Sequence, residues 1–256
     1  MRGWLAIGIG AVLLAAALAI EAPATLLDRR VEALTDGRVR IAAATGSVWH
    51  GSAELTLLPD GARIPISWRI DPMPLLRGEL GGSLSVAGSS RPAQFTVGGQ
   101  GDFAVQDLAL TLPAAVALRT AGIPPLLVAA GGTLALDVAS FARRGDRLDG
   151  RVKLLWQDAT WAGPRAGTRV ALGDVRLDAA GAGPQMPATL ANRGGDVDIA
   201  GNLVLTTRGM PQVDLHAKPR AGIGADRSDA IGALLSTVGR SDGAGGYRIV
   251  WPWLGR

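Results

Sequence analysis

The sequence predicts a mainly β protein: an N-terminal transmembrane helix, then a long antiparallel sheet of many strands with two short helices. An uncharged apolar run over residues 3–20 predicts the first helix. About 18 helical residues reach roughly 27 Å, close to the hydrocarbon thickness of a bilayer. Apolar residues spaced two apart recur through the remainder, which places each pair on one face of a strand. Glycine and proline, 36 and 15 of 256 residues, punctuate the gaps without a Gly-X-Y period, so the chain turns often rather than winding as collagen.

Composition removes whole classes of function. Apolar types make up 48% and charged types 19%, which argues against disorder and leaves enough for a buried core. With no cysteine there is no disulfide, thiolate zinc site, iron–sulfur cluster or cysteine nucleophile. The net charge of +4 rests on scattered arginines, with Lys153 and Lys218 the two lysines, so no basic track for nucleic acid is present.

The apolar run reads as a membrane anchor within residues 1–21, its lipid-facing set being Trp4, Leu5, Ile7, Ile9, Val12, Leu13, Leu14, Leu18 and Ile20. A signal peptide cut after Ala17-Leu18-Ala19 is the alternative. The run exceeds the usual roughly 7–15-residue apolar region of such peptides, which favours the retained anchor. Arg2 favours an inside N-terminus, although Arg29, Arg30, Arg38 and Arg40 follow the span. Residues 22–37 then read as a juxtamembrane helix, with a stripe of Leu26, Leu27, Val31 and Leu34 and a stop at Gly37.

Residues 38–256 form the β domain. Its strand pairs begin with Leu55 and Leu57, then Ile64, Ile66, Trp68 and Ile70, then Leu84 and Val86, Phe95 and Val97, and Phe103 and Val105. They continue through Leu108, Leu110 and Leu112; Leu134, Leu136 and Val138; Val152 and Leu154; Val170 and Leu172; Val175 and Leu177. Val197 and Ile199, Leu203 and Leu205, Val213 and Leu215, and Ile249 and Trp251 complete the set. Strands this short and frequent, with no helices between most of them, imply antiparallel pairing. Two stretches break the pattern. Residues 113–121 open on Pro113 and precede Gly122, as a short helix does. Residues 228–238 carry Ile231, Leu234, Leu235 and Val238 at helical spacing, with Ser228 as N-cap and Gly239 as stop. A faint internal echo of a strand–Trp–turn–GxLxL theme suggests two similar β units, about 38–140 and 141–256.

Many positions opposite the apolar ones are small, among them Ala104, Ala109, Ala135 and Ala171 beside Gly173. Two readings fit: a face covered by a second layer, a partner or an apolar ligand, or an alanine-rich bias over an ordinary core.

A search for catalytic chemistry finds little. Gly239-Arg240-Ser241-Asp242-Gly243 has the spacing of a nucleophile elbow, but a helix precedes it and both histidines, His50 and His216, lie upstream. Asp196 and Asp198 share a strand face and read as solvated charge. The two histidines lack ligand spacing, and no phosphate-binding glycine loop is complete. The chain reads as a non-enzyme without a cofactor. Of the tryptophans, Trp49, Trp68, Trp156 and Trp161 read as strand core. Trp251 and Trp253 flank Pro252 either as cover for a sheet edge or as a docking peptide.

A set of motifs carries a family resemblance. Thr45-Gly46-Ser47-Val48-Trp49-His50-Gly51 is followed by Trp68-x-Ile70-x-Pro72 and Leu75-Leu76-x-Gly78-x-Leu80. Gly150 and Trp156 lead to Asp158-Ala159; Gly195 and Gly201-x-Leu203-x-Leu205 come next, then Val238-Gly239 with Gly246-Tyr247. In order and spacing these resemble protein N of the type II secretion system, although residues 162–183 do not align. The resemblance implies an accessory component anchored in the inner membrane by a single pass, with its bulk in the periplasm. It implies kinship with AsmA-like domains, whose twisted sheets curl into an apolar-lined trough. Implied partners are the secretin and the inner-membrane assembly platform; an AsmA-like lipid-binding or transfer module is the alternative. No catalytic, cofactor or metal residue carries over.

Overall fold

The computed structural model describes residue 32 and residues 35–58, 61–120, 130–162, 169–208 and 210–251. The expected anchor, most of the juxtamembrane helix, Pro252 and Trp253 lie outside them. Among the described residues no helix is long and apolar enough to cross a membrane. Gly37 does close a helical turn: in a left-handed conformation it donates its N–H to Glu32 O at 2.9 Å.

The chain divides into two compact units, Met1–Ala87 and Gly88–Arg256. The first is an antiparallel meander of β1 (Val39–Gly46), β2 (His50–Leu57), β3 (Ala62–Asp71) and β4 (Leu80–Val86), paired in chain order. Alternation sorts β3 cleanly. Ile66, Trp68 and Ile70 are buried while Ser67, Arg69 and Asp71 face solvent. A 3-10 turn, Met73–Arg77, joins β3 to β4.

The second unit contains β5 (Ala93–Val97), β6 (Phe103–Pro113), α1 (Ala114–Thr120), β7 (Ala130–Arg144), β8 (Arg147–Ala162), β9 (Arg169–Gly183) and β10 (Gln185–Arg193). It continues with β11 (Val197–Thr206), β12 (Gln212–Pro219), α2 (Ala225–Leu235), β13 (Arg240–Ser241) and β14 (Tyr247–Trp251). Neighbours in sequence pair antiparallel from β5 to β12; β14 then pairs β12, and β13 lies outside it without closing the sheet. The predicted class, mainly β and antiparallel with two helices, holds for the described residues.

Three expectations need correction. The strands are not uniformly short: β7, β8 and β9 run 15, 16 and 15 residues. The apolar pattern looks interrupted because left-handed residues shift its phase. Val170 and Leu172 precede Gly173 at φ 71, and Val175 and Leu177 follow it; Asp107 at φ 56 and Asp158 at φ 49 do the same in β6 and β8. A one-residue bulge keeps both halves of a strand on one face while the sequence changes parity. The alternation also missed β1, rich in alanine, and β10, which carries Pro187. Finally, α2 starts three residues before Ser228; Gly224 is its N-cap, and Ser228 donates its N–H to Gly224 O at 2.9 Å inside the helix.

Cores form where helices meet the sheet ends. Beyond the bulges, Trp161, Val170, Leu172, Val197 and Ala217 pack under Ile231, Leu234 and Leu235 of α2. Burying each such aliphatic side chain contributes about 1.5–3 kcal/mol. The α1 helix covers a smaller cluster around Ala114, Ala130 and Leu134. Of the small residues opposite the apolar rows, Ala109 is exposed, with exposed Asp137 and Lys153 beside it across the strands, while Ala104, Ala135, Ala171 and Gly173 are half-buried.

Candidate functional site

Two surfaces stand out. The first is at one end of the first unit, where two sequence motifs meet. Chain direction puts the end of β1 and the end of β3 at the same end of the sheet, on either side of the start of β2. Trp68 Nε1 donates to Val48 O at 2.9 Å, and Ile70 N–H donates to Trp49 O at 2.6 Å. Gly51 is required by this contact, because a Cβ there would stand 2.6 Å from the Trp68 ring and 2.5 Å from Thr45 O. Gly46, at φ +89, would set a Cβ 2.5 Å from His50 O. Trp49 itself is half-buried in the β1–β2 turn rather than on a strand, a correction to its expected place.

This knot fixes the 3-10 turn that follows. Pro72 occupies its N-cap, Asp71 Oδ1 accepts the Met73 N–H at 2.9 Å, and Gly78 closes it at φ 73 with its N–H on Leu75 O at 3.0 Å. The turn buries none of its residues. Met73, Leu75 and Leu76 are 65%, 41% and 82% exposed. A turn hydrogen-bonded at both ends that holds apolar side chains in solvent has the geometry of a contact point.

The second surface is the apolar face of the second unit. Register places Leu110, Leu136, Leu154, Leu177, Leu190, Gly201, Leu215 and Ile249 opposite one another in a single row across eight strands. Every member is half-buried. The helices pack toward neighbouring rows, so this ladder is an apolar strip that neither is fully covered nor carries a charge.

Polar locks hold the same unit. Asn192 Nδ2 donates to Leu172 O at 2.6 Å, Val197 O at 2.6 Å and Gly194 O at 3.2 Å, while its Oδ1 accepts Ile199 N–H at 2.7 Å. Asp196 and Asp198 are not free charge, as the sequence suggested; each has its own arginine. Asp198 accepts from Arg220 Nε at 2.9 Å. Asp196 Oδ2 accepts from Arg227 Nη2 at 2.5 Å and from the Ala171 N–H at 2.9 Å, pinning α2 to β9. The Arg227 hydrogen bond holds the Asp196 carboxyl below the usual carboxylate range. Asp214 is lowered likewise by Arg248, and Asp242 by the Ala244 and Gly246 N–H groups of its own turn.

A groove of about 530 Å³ lies beside these groups, lined by Asn192, Asp198, His216, Lys218 and Asp242. Among the described residues no three potential ligands gather for a metal. Ser241 sits exposed on β13, its Oγ accepting the Gly243 N–H at 3.3 Å, a turn role.

The remaining motif residues are backbone features. Gly150 and Gly201 lie on β8 and β11 against opposing carbonyls, Gly195 and Asp158 at bulges or turns, and Gly239 and Gly246 beside β14. Trp156 donates Nε1 to Gly131 O at 2.8 Å, and Tyr247 packs toward α2. The leucine row was beyond sequence reading, since its members come from different strands.

A family model of the type II secretion system protein N matches residues 37–250. The chain belongs to the type II secretion system protein N family. The match runs through parts of both units and all the β motifs, and the family is one of secretion components rather than a known enzyme family. No curated protein and no solved structure matches the chain.

Proposed function

We propose that the protein is a non-enzymatic accessory scaffold of the type II secretion machinery, held at the inner membrane by residues 3–20 with its β units in the periplasm. It contacts the secretin or the assembly platform there. The observation that carries this reading is the family match across residues 37–250. Alkaline phosphatase fused after the last residue tests the topology, an active fusion being expected. Photo-crosslinking in secreting cells from Arg40 on β1 and from further surface positions of the first unit tests the contact; no adduct with any secretion component from any of them, with abundant protein, refutes it.

The leucine row supports a second reading: an AsmA-like module whose apolar strip takes an acyl chain, each buried CH₂ contributing about 0.8 kcal/mol. Native mass spectrometry after gentle detergent extraction separates the two. Bound phospholipid favours the second reading, and an empty, folded protein favours the first.

A further inference from the structure

The geometry points to the 3-10 turn Met73–Arg77 as a docking knob for a protein partner, one with an apolar pocket for Leu76 and Met73 inside a charged margin. This inference rests on the scaffold reading and names a contact surface for it. Leu76 is 82% exposed and Met73 65%, on a turn whose two ends are fixed by Asp71, Pro72 and Gly78. A turn capped at both ends spares the backbone part of the ordering cost on docking, leaving the side-chain part to be offset by burial in the partner's pocket. Sequence neighbours give the knob a margin of both signs: exposed Arg69, Asp71 and Arg77, with half-buried Glu79.

That margin decides the occupant. A protein surface can match alternating charges one for one, whereas an anionic bilayer gains nothing net from a margin in which Asp71 and Glu79 offset Arg69 and Arg77.

The test uses the full-length protein in secreting cells, with a photo-crosslinking residue at position 76 and, separately, at position 40. The expected result is a discrete adduct from position 76 with a component of the secretion machinery, lost when Met73→Asp is added. Leu76→Asp is expected to lower secretion of an exported enzyme at least tenfold while leaving the purified protein's melting temperature within about 2 °C. Crosslinks to phospholipid from position 76 overturn the inference, and so does normal secretion by Leu76→Asp. If position 40 still captures a secretion component in either case, the scaffold reading survives and only the knob fails. If neither position captures one, and none of the further surface positions of the first unit does, both fall.

Discussion

Removing the Asp196 carboxylate by Asp196→Ala probes how the second unit holds its terminal helix. The side chain is 17% exposed and binds Arg227 Nη2 and the Ala171 N–H, so two charge-assisted hydrogen bonds go at once. Such bonds contribute about 1.5–3 kcal/mol each in isolation. They do not add fully here, because Arg227 is 52% exposed and regains water. The backbone bonds of the same residue, Asp196 N–H to Ala171 O at 2.7 Å and Arg220 N–H to Asp196 O at 2.8 Å, persist. The net loss is about 2–3 kcal/mol, or roughly 5–10 °C in melting temperature for a domain of this size. Urea unfolding followed by tryptophan fluorescence reads it, since Trp156 and Trp161 report on this unit. Because the native carboxyl is held below its unfolded value of 3.8, its stabilisation is complete above that pH and disappears as pH falls through the lower native value. The gap between wild type and variant therefore narrows on acidification. A variant within about 0.5 kcal/mol of wild type at pH 7, or a gap undiminished at low pH, refutes the reasoning.

Other perturbations have equally definite outcomes. Asn192→Ala strips four partners from the join between β9, β10 and β11 and is expected to cost about 3 kcal/mol by urea unfolding. Asn192→Asp is expected to cost at least as much, because a carboxylate would face three carbonyls. Gly51→Ala drives a methyl into the Trp68 ring and Thr45 O, for a loss of about 2 kcal/mol or more in the first unit, read by circular dichroism melting. Ser241→Ala is expected to complement secretion fully in a strain lacking the protein, because its hydroxyl only supports a turn; loss of secretion with a normal melt would revive a catalytic role.

Much of the β reading was legible because period two is a local property. Ile66, Trp68 and Ile70 alternate with polar neighbours whatever lies across the sheet, and glycine pairs announce most turns. The helices were legible too, though the start of α2 was misplaced because Ser228 looks like a cap while Gly224 serves as one. The motifs around Trp49 and Trp68 were visible as words, but not as partners. Twenty positions of chain separate Val48 O from the indole that binds it.

Composition and periodicity by themselves determined that this chain is cysteine-free and β-rich, with two short helices set between strands of the described residues, since each of those follows from neighbouring residues. Tertiary structure alone decided the register that lines leucines from separate strands into one row. It also decided the bulges that keep Val170 and Val175 on the same face, and the carboxylates that each find an arginine. The reason is that register and ion pairing depend on hydrogen bonds between distant segments, and a strand's own sequence carries no record of what it will lie beside.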